Sequence, residues 1–523
     1  CDWRGAIEIY FWVVGQKLWN CDSSTVRVYE LVCISKSAPF RLGLHPHFGA
    51  VVTARHLLRS VRPGGAGRAI GDCRTRTVCH ARLRGRPVAG AELTLGMANE
   101  RLIIGDCEAW GQRRPFGLLP ADRARHLYII GQTGTGKSTL LAELVRQDIE
   151  AGEGVALIDP HGDLIDEVLA VMPSHRVDDV LIDPADRQLP VGINPFYRVP
   201  EDERALVAAN LVATMKHVWS DSWGPRLQYI LGNAVGALLD APDRCRPTLL
   251  ALARLLVDPR YRELVLRFVR DPRIKSFWRD EFDRWPDRQV TEALSPVQNK
   301  LGELIGNPFV RNLLCQWRPS FAFPTVMNQR QVLLVRLAKG TLGEEPANLF
   351  GALLVSSIQQ AAMGRANMAA ASRRPFHLYI DEFQNFTTDT FAAALSETRK
   401  YGLTLTLAHQ YVQQLRDPVR DAIFGNVGNI VSFRVSGHDA EVLSREMGSF
   451  PPAVFRDLRR GEVCAQLLEA SETMQPIRGR TRPGLSGQGG QAENVRTQSR
   501  QRYGRDRAAV EAKLARWMKE ISS

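Results

Sequence analysis

The chain has 523 residues, of which 44% are apolar and 24% are charged, an ordinary balance for a soluble globular protein. At roughly 150 residues per domain, this length predicts about three folding units, and the composition excludes wholesale disorder, collagen-like repeats and a polytopic membrane protein. The 68 Lys and Arg residues exceed the 56 Asp and Glu residues by 12. This surplus favours a polyanionic partner such as nucleic acid, although a general bias toward Arg explains it equally well.

The first 110 residues are irregular and rich in Gly and Arg, which predicts an N-terminal region of undefined fold. Short strands are expected at 26–32 and 91–95, and a loop at 63–71. The nine Cys residues form no CxxC pair, which is typical of reduced thiols in a cytoplasmic protein. No apolar run reaches the roughly 18–20 residues that a bilayer span needs, and the longest, at 6–14, indicates a strand or a core segment.

A phosphate-binding loop is the clearest motif in the chain. A short β-rich run at 126–130 leads into a loop that matches G-x-x-x-x-G-K-[ST], and an amphipathic helix follows. The predicted nucleotide-binding residues are Gly131, Gln132, Thr133, Gly134, Thr135, Gly136, Lys137, Ser138 and Thr139. Glycines allow backbone N–H groups to surround phosphate oxygens at the positive end of the helix. Lys137 is expected to reach the β- and γ-phosphates of ATP, Ser138 to bind Mg²⁺, and Thr139 to lie near the α-phosphate.

Acidic residues follow two later apolar runs. Asp381 and Glu382 end the run at 376–380, where Asp381 is predicted to hold Mg²⁺ and Glu382 to act as the general base for the attacking water. Asp159 follows the strand at 155–158, and two interpretations stay open for it. Either it supports Mg²⁺ or water indirectly, or it belongs to a capped turn in which Asp163 starts the next helix.

Two polar residues flank the apolar run at 403–407. Gln410 follows it and is predicted to sense the γ-phosphate, because an amide can both donate and accept a hydrogen bond. The alternative is an ordinary polar residue after a strand. Arg399 precedes the run, and from the residues alone it is best explained as a last-turn cation that stabilises the helix dipole, with Gly402 ending the helix.

The remaining pattern predicts the organisation of the chain. Apolar runs separated by helices, at 180–182, 332–335 and 430–435 among others, indicate a largely parallel sheet covered on both faces. Between 201 and 320 only helical stripes occur, which predicts an all-α insertion. Residues 476–504 are predicted to form a flexible basic linker before a short terminal helix. Its arginines either contact phosphate backbones or lie in solvent: Arg478, Arg480, Arg482, Arg496, Arg500, Arg502, Arg505 and Arg507.

Five segments together resemble the conjugative coupling proteins of type IV secretion, which belong to the HerA/FtsK group of ring-forming motor ATPases. They are GQTGTGKST, LIDPHGD, YIDEFQNF, RKYGLTLTLAHQ and GNVGNIVSFRV, and the resemblance covers residues 110–520. It implies a RecA-like P-loop NTPase in an α/β fold. The motor domain would comprise 111–200 and 321–475, the inserted all-α domain 201–320, and the basic linker and terminal helix 476–523, after an N-terminal region at 1–110.

The resemblance also implies a function. It indicates an enzyme that hydrolyses ATP with Mg²⁺ and moves DNA through a homohexameric ring, with Arg399 acting in trans on the ATP of a neighbouring subunit. Relaxase and secretion-channel proteins are the implied partners, at the cytoplasmic face of the inner membrane. Coupling proteins usually begin with transmembrane helices, so either that segment precedes residue 1 or the chain belongs to a soluble branch near the DNA-processing translocases.

Two rival functions share the same motifs. A protein-export or assembly ATPase would also need the phosphate loop and the acids, and only stimulation of its activity by DNA would separate the two. An ATP-gated adaptor that recruits proteins through the α-insertion would bind ATP without turnover, which the presence of both Glu382 and Gln410 disfavours.

Overall fold

The structure, a computed structural model, describes residues 9–21, 24–35, 51–53, 101–109, 111–176, 180–183, 186–485 and 491–520. The chain divides into two compact units, Cys1–Leu93 and Thr94–Ser523. In the first, β1 (Ile9–Cys21), β2 (Ser24–Ser35) and β3 (Val51–Thr53) form an antiparallel sheet in that order. The predicted strand at 26–32 is thus confirmed within β2, whereas the predictions for 63–71 and 91–95 lie outside the described residues.

The second unit is built on one sheet of 11 strands. Its order is β5-β4-β16-β13-β12-β6-β11-β10-β7-β9-β8, and a separate β14–β15 ladder accompanies it. The strands are β4 (Leu102–Ala109), β5 (Gln112–Leu118), β6 (Leu127–Ile130), β7 (Gly154–Asp159), β8 (Val180–Ile182), β9 (Val332–Arg336), β10 (Phe376–Ile380), β11 (Leu403–His409), β12 (Asn429–Ser432), β13 (Glu462–Gln466), β14 (Leu468–Glu469), β15 (Glu472–Thr473) and β16 (Ile477–Thr481).

The seven strands from β12 to β8 run parallel, and the four from β13 to β5 pair antiparallel at one side. The parallel strands read as continuous apolar runs because helices cover both of their faces. Alternate residues therefore contribute to two cores: Tyr128 and Ile130 to one, Leu127 and Ile129 to the other. The predicted α/β fold with a largely parallel sheet is confirmed.

Nineteen α-helices lie in the described residues. They are α1 (Pro120–Arg123), α2 (Lys137–Glu150), α3 (Asp163–Ala170), α4 (Arg204–Val218), α5 (Pro225–Asp240), α6 (Leu249–Val257), α7 (Pro259–Leu266), α8 (Pro272–Ser276), α9 (Asp287–Gly306), α10 (Pro308–Leu314), α11 (Phe323–Asn328), α12 (Lys339–Leu342), α13 (Glu344–Met363), α14 (Asp389–Glu397), α15 (Asp417–Asn426), α16 (Gly437–Met447), α17 (Pro452–Arg456), α18 (Ala492–Tyr503) and α19 (Arg507–Glu520). Helices alone occupy 204–328, every residue of which is described, as the predicted all-α insertion requires. Within the described ranges, no helix combines the length and apolarity that a membrane span demands.

Two predicted boundaries are wrong. Residues 101–109 do not belong to the N-terminal region, because β4 pairs with β5 and β16 in the large sheet. Residues 476–504 are not a linker throughout, because β16 pairs with β13 and α18 packs on α3 and β8. The place of both segments in the fold depends on pairing with distant parts of the chain.

Candidate functional site

The predicted site residues follow strands that end at one edge of the sheet. β10 lies between β7 and β11, and β11 lies between β10 and β6. The parallel register pairs Ile380 with Ile158 and His409 with Ile130. The residues that follow these four strands therefore converge outside the carboxyl edge, which is where open α/β sheets bind ligands.

The phosphate-binding loop joins β6 to α2 at this edge. Gly134 and Gly136 have φ angles of +76° and +120°, a region that glycine adopts without steric cost. Lys137 begins α2, and its ammonium donates to the carbonyl oxygen of Gly131 at 2.6 Å and to that of Gln132 at 3.3 Å. The loop thus curls around its own lysine, while the side chain of Ser138 is exposed at the start of the helix.

Three residues that the sequence analysis missed support this loop from outside. Gln132 donates its N–H to the carbonyl of Arg434, and Gly461 donates its N–H to the carbonyl of Thr135, both at 2.9 Å. The buried Phe433 packs so closely that a Cβ on Gly131 would lie 2.5 Å from its own Cβ. These residues flank β12 and β13, which come close to the loop only in the folded sheet, so the sequence alone could not identify them. The one local indication was a phenylalanine, Phe433, in the apolar run at 430–435.

The two acids after β10 form a buried negative cluster beside the lysine. Asp381 is 6% exposed, and its N–H donates to the carbonyl of Ile158 at 3.1 Å. Burial and the neighbouring carboxylates of Asp159 and Glu382 raise the pKa of Asp381 to about 6. Burial lowers the pKa of Lys137, while the charges of Asp381 and Glu382 oppose that lowering. The structure therefore brings both predicted acids into electrostatic range of the predicted phosphate-binding lysine.

Glu382 is held by two amide side chains. Its φ of +50° lies in the left-handed region, which costs a non-glycine residue about 1–2 kcal/mol. Gln410 Nε2 donates to Glu382 Oε1 at 2.6 Å, and Gln384 Nε2 donates to Glu382 Oε2 at 2.9 Å. The backbone N–H of Gln410 is itself held by Gln414 Oε1 at 3.3 Å. The structure thus places Gln410 between the loop and the acids, with its amide bonded to Glu382.

Asp159 serves the turn that follows β7. Its two carboxylate oxygens accept the backbone N–H groups of His161 at 2.9 Å and Ile165 at 3.2 Å. This is the capped-turn interpretation, with Asp163 as the first residue of α3. Because the charge of Asp159 also raises the pKa of Asp381, the residue contributes to the electrostatics of the site as well.

Lys339 is a further cation at this edge that the sequence analysis did not identify. It follows β9 and begins α12, and its N–H donates to the carbonyl of Pro160 at 3.1 Å. Burial lowers the pKa of Lys339, whereas the charges of Glu344 and Glu382 oppose that lowering. The sequence shows a lysine shortly after an apolar run, but it does not predict that this lysine lies near Glu382, because that depends on the order of the strands in the sheet.

Arg399 does not join the site of its own chain. It is exposed in the turn before β11, at the opposite end of that strand from Gln410, and seven residues of strand span roughly 20 Å. Arg373 and Arg365 brace this turn by donating to the carbonyls of Lys400 at 2.7 Å and Tyr401 at 3.1 Å. Arg399 therefore lies out of reach of the phosphate-binding loop of its own chain.

Most arginines of the predicted basic linker are ion-paired with distant acids. Arg478 pairs with Glu462 at 2.9 Å, Arg496 with Asp166 at 2.6 Å and Arg500 with Asp186 at 2.7 Å. Arg480, Arg482 and Arg507 also face carboxylates. The partner of Arg507, Glu511, lies in the same helix. The other five arginines attach the C-terminal segment to the sheet and its helices, and for them the solvated-linker interpretation is wrong.

Two family models match the chain. The model for the type IV secretion-system coupling protein DNA-binding domain matches residues 117–312, and the model for the TraM recognition site of TraD and TraG matches 375–457. Together these stretches cover more than half of the chain and contain both parts of the candidate site. The chain belongs to the type IV secretion coupling protein family. The resemblance predicted from the five motifs is thereby confirmed.

Solved structures of this family and of VirB4 have the same fold. The bacterial conjugative coupling protein TrwBdeltaN70 matches with a TM-score of 0.52 at 15% identity, over 74% of this chain and 90% of its own. The plasmid coupling protein TrwB in complex with ADP and Mg²⁺ gives 0.51 at 15% identity, over 71% and 88%. VirB4 of Thermoanaerobacter pseudethanolicus gives 0.50 at 15% identity, over 73% and 96%. No curated protein matches the chain by sequence. By family the chain belongs with the coupling proteins of type IV secretion, and it shares the fold of these solved structures.

Proposed function

We propose that this coupling protein hydrolyses ATP and uses the energy to move DNA through a ring of identical subunits during conjugation or type IV secretion. The observation that carries the proposal is the convergence of Lys137, Asp381, Glu382 and Gln410 at one sheet edge. A nucleotide-binding protein without turnover needs the lysine and the loop, but it does not need a carboxylate held by two amides beside them.

The residues fit a magnesium-bound triphosphate. The carboxylates of Asp381 and Glu382 lie near the ammonium of Lys137, and that of Asp159 adds negative charge beside Asp381, so the acids outnumber the two lysines of this edge, Lys137 and Lys339. No group of three or more His, Cys, Asp or Glu side chains in the described ranges could hold a metal ion unaided. Ser138 and Asp381 would therefore share Mg²⁺ with phosphate oxygens. TrwB, which has the same fold, has been solved in complex with ADP and Mg²⁺. When bound, Mg²⁺ would neutralise charge that develops on the phosphates.

The roles of the chain's own groups follow from their placement. Backbone N–H groups of 131–136 and the start of α2 would hold the β- and γ-phosphates, with Lys137 turning from its loop carbonyls toward them. Glu382 would accept a proton from the water that attacks the γ-phosphorus, and the products would be ADP and inorganic phosphate. Gln410 would aim the carboxylate of Glu382 and report the presence of the γ-phosphate to it.

A ring explains the position of Arg399. In a homohexamer, the arginine turn of one subunit would face the carboxyl edge of the sheet of its neighbour. Its guanidinium would then stabilise the charge of the transition state there, so that hydrolysis in one subunit is coupled to the next. Arg373 and Arg365 would keep the turn rigid enough for that contact.

The cargo and the location follow from the family. The DNA-binding domain model at 117–312 supports DNA as the substrate, and the TraM recognition model at 375–457 supports partners that deliver DNA, such as a relaxase complex. We propose, from membership of a type IV secretion family, that the protein works at the cytoplasmic face of the inner membrane, next to the secretion channel.

ATP turnover with and without DNA tests the proposal. Steady-state hydrolysis should rise several-fold on addition of single-stranded or duplex DNA, and a native mass measurement should detect hexamers under the same conditions. Turnover that ignores DNA would favour the protein-export ATPase instead. Stoichiometric ATP binding without turnover would favour the adaptor.

A further inference from the structure

A cavity of about 600 Å³ lies between the all-α region and the C-terminal helix α19, away from the phosphate-binding loop. Its floor is apolar, with Leu250, Val510 and Leu514 among the residues that line it. Five cationic side chains and one carboxylate also line it: Arg246, Arg318, Arg505, Lys513, Arg516 and Asp506. A volume of this size is typical of sites that hold small molecules or single units of a polymer.

The positive charge in the cavity is largely uncompensated. Asp506 uses one carboxylate oxygen to accept the N–H of Ala509 at 2.8 Å, in the first turn of α19. Arg505 donates only to neutral oxygens, Gln316 Oε1 at 3.3 Å and the carbonyl of Pro319 at 3.0 Å. Burial and the charge of Arg318 lower the pKa of Arg505. Six other arginines of the C-terminal segment face acids, so the cations of this cavity differ from them: Arg478, Arg480, Arg482, Arg496, Arg500 and Arg507.

Four of these cations have no carboxylate at ion-pair distance anywhere in the part of the chain that the structure describes: Arg318, Arg505, Lys513 and Arg516. Arg318 lies close enough to Arg505 for its charge to oppose that of Arg505, and Asp506 is the one carboxylate in the lining. An anion that entered the cavity would relieve this repulsion. The ligand is therefore expected to carry more than one negative charge.

Two tryptophans lie beside the cations: Trp317 is partly exposed, whereas Trp517 is 5% exposed and forms part of the cavity wall. The guanidinium of Arg318 lies 4.8 Å from the centre of the Trp317 ring, and the carbonyl of Trp317 accepts a hydrogen bond from Asn194 Nδ2 at 2.8 Å. Trp517, also in the lining, packs edge-on against Tyr261 with ring centres 5.8 Å apart. Flat rings next to cations are the elements with which proteins bind unpaired bases and their phosphates.

The wall that carries these cations is attached firmly. The N–H groups of Arg505 and Arg507 donate to the carbonyls of Pro190 at 3.2 Å and Gln188 at 3.0 Å, and Gly504 forms a β-bridge with Val191. The segment between α18 and α19 is thus held against the chain before the all-α region. This part of the cavity is formed in advance, so a ligand would lose little affinity to ordering it, whereas the exposed side chains of Arg318, Lys513 and Arg516 would become ordered on binding.

We propose that this cavity binds nucleotide units of single-stranded nucleic acid, with a base against Trp317 and phosphates held by Arg318, Arg505, Lys513 and Arg516. A duplex would not fit, because its base faces are covered by stacking and pairing. The inference rests on the proposed function only in that a DNA strand is available to the protein, and it requires no ATP hydrolysis. The proposal gives the protein a contact with the nucleic-acid strand that is separate from the phosphate-binding loop.

Photo-crosslinking of the full chain tests this proposal without ATP. A short oligonucleotide carrying 5-iodouracil is irradiated with the protein, and the adducts are mapped to peptides. We expect adducts on the peptide containing Trp317, reduced at least tenfold in the variant Arg318→Glu/Lys513→Glu. The matched control is Arg273→Glu/Arg288→Glu, which reverses two charges that are each 91% exposed and lie outside the cavity lining. This control should retain the adducts.

Affinity and competition complete the test. The association constant for a single strand falls as the salt concentration rises. In the variant, which loses two phosphate contacts, the steepness of log association constant against log salt concentration should decrease by about 1.4. Protection of Trp317 by free dTMP would show that single nucleotides suffice, and protection by oligonucleotide alone would assign the cavity to a strand; both outcomes support the proposal. The milder variant Arg318→Gln/Lys513→Gln provides the same test if the charge reversal fails to fold.

Three outcomes would overturn the proposal: no adduct on the Trp317 peptide, equal adducts in the variant and the control, or protection by poly-glutamate but not by unlabelled oligonucleotide. The last would assign the cavity to acidic peptides. Failure of the proposed motor function can be distinguished from failure of this proposal, because a Glu382→Gln protein that does not hydrolyse ATP should still give the Trp317 adduct.

Discussion

Gln410→Leu tests whether the amides around Glu382 serve catalysis. The substitution keeps the approximate volume of the side chain but removes the 2.6 Å hydrogen bond to Glu382 Oε1. A hydrogen bond to a charged group contributes about 1.5–3 kcal/mol, and this one is made to a residue whose backbone lies in the left-handed region. If that energy is realised in the transition state, kcat for ATP hydrolysis should fall about 10- to 100-fold, because each 1.4 kcal/mol is a factor of ten.

The comparison variant is Gln384→Leu, which removes the 2.9 Å hydrogen bond to the other oxygen of Glu382. If Gln410 only positions the carboxylate, both variants should lose similar amounts of kcat. If Gln410 also contacts the γ-phosphate, its loss should be the larger. Steady-state hydrolysis with saturating ATP measures kcat, and equilibrium binding of a fluorescent ATP analogue should stay within about threefold of wild type in both variants. Wild-type kcat in Gln410→Leu would refute the reasoning.

Three further predictions address the loop, the acid stability and the ring. Gly131→Ala should weaken ATP binding at least tenfold, because its Cβ would lie 2.5 Å from that of Phe433, whereas Gly232→Ala, with open space around it, should bind ATP normally; titration with a fluorescent analogue measures both. The buried ring of His126 accepts from Leu405 N–H and donates to the Leu395 carbonyl, and burial lowers the pKa of His126 from 6.5 to about 4. The unfolded chain therefore binds more protons between these values, so stability is full above pH 6.5 and should fall by about 3 kcal/mol as the pH drops to 4. Urea unfolding should show this fall, and an unchanged pH dependence in His126→Gln would contradict it. Mixing inactive Arg399→Ala and Glu382→Gln subunits should restore part of the ATPase activity if the arginine acts in trans, and no recovery would place its role elsewhere.

The parallel half of the fold was predictable because its signals are local. Each parallel strand is a short apolar run, and the loop at 131–138 and the acids at 381–382 are contiguous motifs that directly follow such runs. Strands of that type can only be buried between helices, so their carboxyl ends must share one edge. The convergence of Lys137 with Asp381 and Glu382 follows from this rule, and the strand order then adds Gln410 between them.

The antiparallel half was not predictable for the opposite reason. β16 reads as Ile-Arg-Gly-Arg-Thr, with arginines that face Glu462 and a glycine that allows Phe116 to pack within 2.5 Å of a would-be Cβ. α18 buries little beyond Val495, Ser499 and Tyr503 and is held by ion pairs to Asp166 and Asp186. Charged partners more than 300 residues away leave no local pattern, so this segment resembled a linker.

Single-turnover hydrolysis by Glu382→Gln, beside Lys137→Ala, tests most directly whether one site binds and cleaves ATP. Glu382→Gln should bind ATP with an affinity close to that of wild type, because the carboxamide keeps the size of the side chain. Its hydrolysis should fall by a factor of about 100 or more, because the proton acceptor is lost. Lys137→Ala should lose ATP binding itself. Hydrolysis at the wild-type rate by Glu382→Gln, or unaltered ATP binding by Lys137→Ala, would contradict the assignment of these residues to a single ATP-hydrolysing site.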